Sequence, residues 1–109
     1  MSYDVNVMAV CEDSLWDSDT EKFPANVKSL IDGLNVDYKF KIVSAGVQRT
    51  SYDSENTIGI SRNFISSVKA SFTVDSLNKV QSFENSLASE CNKIDTNYKL
   101  KIRTKNHVG

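Results

Sequence analysis

Residues 38–52 read YKFKIVSAGVQRTSY and residues 58–74 read IGISRNFISSVKASFTV, and these two stretches decide the fold. Apolar and polar side chains alternate through both, and only Arg62 and Ser66 break the even-numbered apolar series of the second. A period of two is typical of β-strands that bury one face. Residues 53–56, Asp-Ser-Glu-Asn, are turn formers, so the two stretches predict one long antiparallel hairpin.

The pairing of this hairpin is predicted by matching each large side chain with a smaller or apolar one. The predicted pairs are Tyr52 with Ile58, Gly46 with Phe64, Ile42 with Val68 and Phe40 with Ala70. Strands of about fifteen residues span roughly 50 Å, whereas helices of similar length cover about 25 Å. Residues from about 44 to 66 are therefore expected to project as an arm. The alternative is that the first strand ends near Ala45 and residues 47–65 fold back as a loop.

Two further segments, one near each end of the chain, alternate in the same way. Residues 3–11 place Tyr, Val, Val, Ala and Cys on one face of a predicted first strand. Residues 98–104 place Tyr, Leu, Ile and Thr on one face of a predicted last strand, with Lys and Arg between them. Both segments therefore predict strands with one apolar face.

Two other segments carry apolar residues at helical spacing. The first contains Phe23, Val27, Leu30, Ile31 and Leu34, and the second contains Leu77, Val80, Phe83, Leu87, Cys91 and Ile94. Pro24 is predicted to be the first helical position of the first helix, although residues 18–21 also have the pattern of a capping box. Gly33 is expected to end that helix in the left-handed conformation, and Asp75 is expected to cap the second helix.

The resulting order is βαββαβ. With one apolar face per strand and two amphipathic helices, it predicts an α+β, ferredoxin-like sandwich with a long β2-β3 hairpin. The two helices cover one face of a four-stranded antiparallel sheet, whose strand order is four, one, three, two. The 109 residues form one predicted domain, with a short flexible tail from about residue 106 to 109.

Catalytic chemistry has little support in the sequence. His107 is the only histidine and falls in the predicted tail, and no phosphate-binding glycine motif occurs. Cys11 and Cys91 are predicted to be reduced, buried thiols. The acidic loop around Asp17 and Asp19 lacks the glycine and distal glutamate of a calcium loop. We therefore predict no enzyme, no catalytic residue, no metal site and no cofactor.

The site of action is predicted from what the chain lacks. Its longest apolar run, residues 7–11, is far shorter than the about twenty residues that cross a membrane, and its N-terminus lacks the pattern of a secretory signal. We expect a cytoplasmic protein without a membrane partner. The composition is rich in Asn, Lys and Ile and poor in Gly, Ala and Arg, which suggests AT-rich coding, as in many phages. For a phage protein, the expected location is the cytoplasm of the host.

Charge is distributed unevenly along the chain. Residues 1–37 hold eight acids and two lysines, whereas residues 38–109 hold six acids and eleven bases. The sheet face opposite the helices is therefore predicted to be basic, through Lys39, Lys41, Lys69, Lys99, Lys101 and Arg103. RRM-type domains of this fold bind single-stranded nucleic acid on the same face, but they do so with aromatic residues that are missing here. The other interpretation is that this face is only solvated and that its lysines protect the edge strands from aggregation.

The predicted arm carries apolar side chains that the helices cannot cover: Tyr52, Ile58, Ile60 and Phe64. Such a surface suggests a protein target or a second copy of the chain. The leading hypothesis is a small non-enzymatic protein, of phage type, that self-associates and inhibits or redirects a host protein. A nucleic-acid-binding protein that uses the basic sheet is the alternative, and an ACT-like domain that binds a small ligand is a third.

Overall fold

The structure is a computed structural model that describes residues 1–14, 16–52 and 60–108 and, at 46–52 and 60–63, the backbone alone. Its elements are β1 (Tyr3–Asp13), α1 (Ser18–Asp32), β2 (Tyr38–Tyr52), β3 (Ile60–Val74), α2 (Leu77–Ile94) and β4 (Lys99–Asn106). The strands form one sheet in the order β2-β3-β1-β4, and every neighbouring pair is antiparallel. The predicted ferredoxin-like sandwich with a long β2-β3 hairpin is confirmed.

The core lies between the two helices and one face of the sheet. Alternate residues of β1 point into it, and Val5 and Ala9 are fully buried. Leu87 of α2 is also fully buried, and Phe72 of β3 meets Phe83 of α2 edge to face, with ring centroids 5.3 Å apart. Because the helices bury this face, the other face of the sheet is free to present polar side chains.

The predicted hairpin register is correct near the domain and wrong further out. Ile42 pairs with Val68 as predicted, but Gly46 does not face Phe64, and Tyr52 pairs with Ile60 rather than with Ile58. Two register shifts separate the halves, one between Ile42 and Ser44 and one between Ala45 and Val47. Each shift is a β-bulge that adds one residue to β2.

The start and end of α1 also differ from the sequence prediction. The helix begins at Ser18, because the Asp17 side chain accepts a hydrogen bond from the Thr20 amide at 3.0 Å, and Pro24 therefore lies inside it. Gly33 adopts a right-handed conformation with φ of −65°, whereas Asn35 carries the positive φ of 55°. The left-handed residue is thus two positions later than predicted.

The second helix is capped by Ser76 and not by Asp75. The Ser76 hydroxyl accepts from the Asn78 amide at 3.1 Å. Asp75 instead forms an ion pair with Lys79, one helical turn along, at 2.8 Å. Either side chain can cap a helix, and here the chain turns into the helix one residue later than predicted.

The hairpin extends past the rest of the sheet. β1 accompanies β3 as far as the pair Asp13–Phe64, and β2 continues to pair with β3 from Arg49 to Tyr52. Ile58, which the sequence analysis assigned to partner binding, lies outside the described residues. Within the described part of the chain, no helix has the length and apolar character needed to cross a membrane.

Candidate functional site

Five exposed cations lie together on the open face of the sheet, and we name them the basic face: Lys39, Lys41, Lys69, Lys101 and Arg103. Strand pairing arranges them in two adjacent rows that run across the sheet. The first row is Lys41, Lys69, Met8 and Lys101, and the second is Lys39, Ser71, Asn6 and Arg103. Together these side chains line a shallow open groove of about 520 Å³.

The cations of the basic face have no carboxylate partner within the part of the chain that the structure describes. Lys41 and Lys69 are direct cross-strand neighbours, so two like charges stand side by side. The open face therefore carries positive charge on both sides of β1, and this charge attracts anions.

Acidic residues limit the basic face at both ends of β1. At one end lies Asp4, which pairs in register with Lys105. At the other end lies Glu12, which lines a small cavity together with Asp95 and Lys99. Lys99, which the sequence analysis grouped with the other cations, thus stands apart from the groove and next to carboxylates.

Asp4 is held by two side chains. Its Oδ1 accepts a hydrogen bond from the Thr73 hydroxyl at 2.8 Å and lies 2.8 Å from His107 Nδ1. These bonds to Thr73 and His107 lower the pKa of the Asp4 carboxyl below its ordinary value of 3.8. The flexible tail predicted from about residue 106 is wrong at its start: Asn106 ends β4, and the His107 amide donates to the Ser2 carbonyl at 2.9 Å.

The acidic loop after β1 has a structural role in starting α1. Thr20, which is buried, donates its hydroxyl to Asp17 at 2.9 Å and approaches Asp13 at 3.3 Å. Bonds from the Thr20 amide and hydroxyl lower the pKa of Asp17. Among the residues that the structure describes, no cluster of acidic, histidine or cysteine side chains could hold a metal ion.

The predicted arm residues are only partly described. Phe64 is half-buried, and its ring packs against Trp16 with centroids 6.0 Å apart, so the chain itself covers part of this side chain. Tyr52 and Ile60 are backbone partners at the end of the described hairpin. Trp16 remains 37% exposed and is therefore not a core residue.

Two exposed apolar side chains on the edge strand β2 were not predicted from the sequence. Ile42 and Val43 are 49% and 45% exposed, and they adjoin the first bulge. Gly46 was a signal only for the second bulge, between Ala45 and Val47, because an interior glycine often marks a bulge. The alternation of side chains alone could not show that β2 changes register there.

Comparison with known proteins gives a fold and no family. No family model matches the chain, and no curated protein matches it in sequence. The de novo designed protein Foldit4 superposes with a TM-score of 0.56 at 9% identity, over 99% of this chain and 100% of that one. A de novo designed protein with ferredoxin fold, LFR1 1, gives a TM-score of 0.48 at 15% identity, over 100% of this chain and 88% of that one. GlnK of B. subtilis gives 0.38 at 13% identity, over 94% and 85% of the two chains.

At the centre of the open face, none of the described β1 and β3 residues that line the groove is aromatic. At its centre, β1 presents Asn6 and Met8 and β3 presents Lys69 and Ser71, all of which line the groove. Single-strand binders of the RRM type stack bases on aromatic side chains at such central positions. This face therefore offers a ligand two sets of positive charges, separated by the polar Asn6 and the apolar Met8 of β1.

Proposed function

We propose that the chain is a binding protein without catalytic activity, and that its basic face binds the phosphate backbone of nucleic acid. The observation that carries the proposal is the pair of adjacent rows with five cations, none of which forms an ion pair with a carboxylate among the described residues. A protein that neutralises several phosphates releases the counterions condensed on the nucleic acid, and this release drives binding. The net charge of −1 does not oppose it, because the acids lie mainly in the first third of the sequence.

A salt titration with charge-reversal variants tests this proposal. We expect affinity for a mixed-sequence oligonucleotide to fall steeply and linearly on a log–log plot against salt. Lys101→Glu combined with Arg103→Glu should abolish measurable binding. The matched control is Lys22→Glu with Lys28→Glu. It changes the net charge by the same amount, but on α1, which covers the opposite face of the sheet, and it should alter affinity far less. Equal losses in both double variants would show that overall charge, and not this face, attracts the ligand.

A second candidate function is binding of a protein at the edge of β2. The exposed neighbours Ile42 and Val43 favour it, because adjacent apolar side chains on an edge strand invite strand addition or apolar docking. In this hypothesis the chain is a small effector, of phage type, that inhibits or redirects a host protein, or it pairs with a second copy of itself. The hairpin residues Tyr52, Ile58, Ile60 and Phe64 would extend the same contact.

The edge hypothesis is tested by the double variant Ile42→Ser, Val43→Ser. We expect it to keep the fold and to lose both self-association in light scattering and nuclease-resistant capture of a protein partner. Lys39→Ser and Lys41→Ser, on the same strand, serve as the control. If the control loses the partner and the apolar variant keeps it, the partner binds the basic face instead.

A further inference from the structure

The basic face divides into two groups of cations with an uncharged strip between them. One group lies on β2 and β3 and consists of Lys39, Lys41 and Lys69, and the other lies on β4 and consists of Lys101 and Arg103. The strip is β1, which contributes Asn6 and Met8 to the groove. Met8 is 37% exposed, so the strip is open to a ligand.

The spacing of the two groups follows from the sheet itself. Neighbouring strands lie about 4.8 Å apart, so β4 is roughly 10 Å from β3 and roughly 14 Å from β2. The major groove of B-form DNA is about 12 Å wide, with a phosphate backbone along each side. The two groups of cations are therefore placed to contact two backbones at once, with β1 over the groove between them.

The chemistry of the strip favours a duplex over a single strand. A single strand exposes its bases and gains much of its affinity from stacking on aromatic rings, and the positions around Asn6 and Met8 provide none. A duplex carries one negative charge per about 1.7 Å of its axis, twice the density of either strand. A face that offers charge without stacking therefore gains more from the duplex.

We propose that the basic face binds double-stranded nucleic acid across a groove, with Lys39, Lys41 and Lys69 on one phosphate backbone and Lys101 and Arg103 on the other. The proposal rests on the proposed function of the same face and names its ligand. It differs from the single-strand alternative predicted from the sequence, because the aromatic-free centre of the face removes the reason to prefer a single strand.

The experiment compares a labelled DNA duplex of about two helical turns with each of its separate strands, using the full chain at matched salt. We expect the duplex to bind at least about tenfold more tightly than either strand. Two double variants test the two groups: Lys41→Gln with Lys69→Gln, and Lys101→Gln with Arg103→Gln. Each should lower the steepness of the log–log salt dependence by nearly two, since each phosphate contact contributes about 0.9. Lys22→Gln with Lys28→Gln should leave it unchanged.

The possible failures are distinguishable. If a single strand binds as tightly as the duplex, or if only one double variant changes the salt dependence, the duplex proposal is wrong and the proposed function stands. If neither form of DNA binds and polyglutamate does, the basic face recognises an acidic protein, and both proposals fail. Circular dichroism melting of each variant separates a lost contact from a lost fold.

Discussion

Lys41 and Lys69 stand directly opposite each other on β2 and β3, and the next residues of their row are Met8 and Lys101. Two like charges in this position repel across a gap of one strand spacing. Within the described residues no carboxylate offsets them. The arrangement therefore costs folding stability, and an anion bound to the face would offset that cost.

This repulsion predicts opposite effects of one substitution on stability and on binding. Lys69→Gln should raise the free energy of unfolding by roughly 0.2–1 kcal/mol, because it removes the like-charge pair. The same variant should bind anionic ligand more weakly. Urea denaturation measures the first effect, and a binding titration at fixed salt measures the second.

The control for this prediction is Lys79→Gln. It removes the exposed ion pair with Asp75 and should lower stability only slightly, without changing ligand affinity. A Lys69→Gln variant that is less stable than the parent would show that Lys69 contributes through packing of its aliphatic stem rather than repulsion.

The contact of Asp4 with Thr73 and His107 predicts a pH dependence of stability. Because the folded-state pKa of Asp4 lies below the ordinary 3.8, its carboxylate stabilises the fold at any pH above that value. The contribution disappears as the pH falls through the lower, folded-state value. Asp4→Asn should therefore be less stable than the parent near neutral pH, and the difference should shrink towards zero in strong acid.

The measurement is the unfolding midpoint of Asp4→Asn and of the parent at a series of pH values from neutral to strongly acidic. Asp19→Asn, in the first turn of α1, is the control for a general effect of removing one acid. A difference between Asp4→Asn and the parent that stays constant into strong acid would contradict the assigned bonds, since it would not follow protonation of the carboxylate.

The Asp17 cap predicts a local contribution to the stability of α1. Asp17→Ala removes the acceptor of the Thr20 amide and hydroxyl and should clearly lower the free energy of unfolding. Ser18→Ala, one residue along, should have a much smaller effect. Chemical denaturation of the two variants measures the contrast, and a larger loss at Ser18 would place the cap where the capping-box pattern suggested.

The accuracy of the sequence prediction followed the physical source of each signal. Alternation and helical spacing come from the burial of one face, and they predicted all six elements and the cations of the groove. The strand order followed from the ferredoxin-like topology that the order of these elements indicated. The pairs Phe40–Ala70 and Ile42–Val68 were correct because both halves of each pair belong to the continuous apolar series. Beyond the bulges the apolar series continues, but the pairing of β2 with β3 shifts. The alternation of apolar and polar residues does not show where a bulge adds a residue to one strand.

The local details of the site were less predictable. Whether Asp17 or Ser18 caps α1 depends on one turn of backbone, and both residue types can serve as caps. The contact between Asp4 and His107 joins residues 103 positions apart and needs β1 and β4 to be neighbours in register. No pattern in the sequence near either residue indicated it.

The packing of α2 on β1 predicts that both thiols are chemically silent in the folded protein. Cys11 and Cys91 are almost fully buried, and the Cys11 thiol lies 3.9 Å from the Cys91 carbonyl oxygen. Its interaction with the Cys91 thiol, together with burial, raises the pKa of Cys11, and the thiolate is the form that alkylates. The same interaction lowers the pKa of Cys91, so the protection of Cys91 rests on its complete burial. Iodoacetamide at mildly alkaline pH should therefore leave the native chain unmodified.

In denaturant the same reagent should add two carbamidomethyl groups, and intact-mass spectrometry distinguishes the two states. Rapid single modification under native conditions would mean that α2 separates from β1 far more readily than a core formed by Leu87 and Val5 allows.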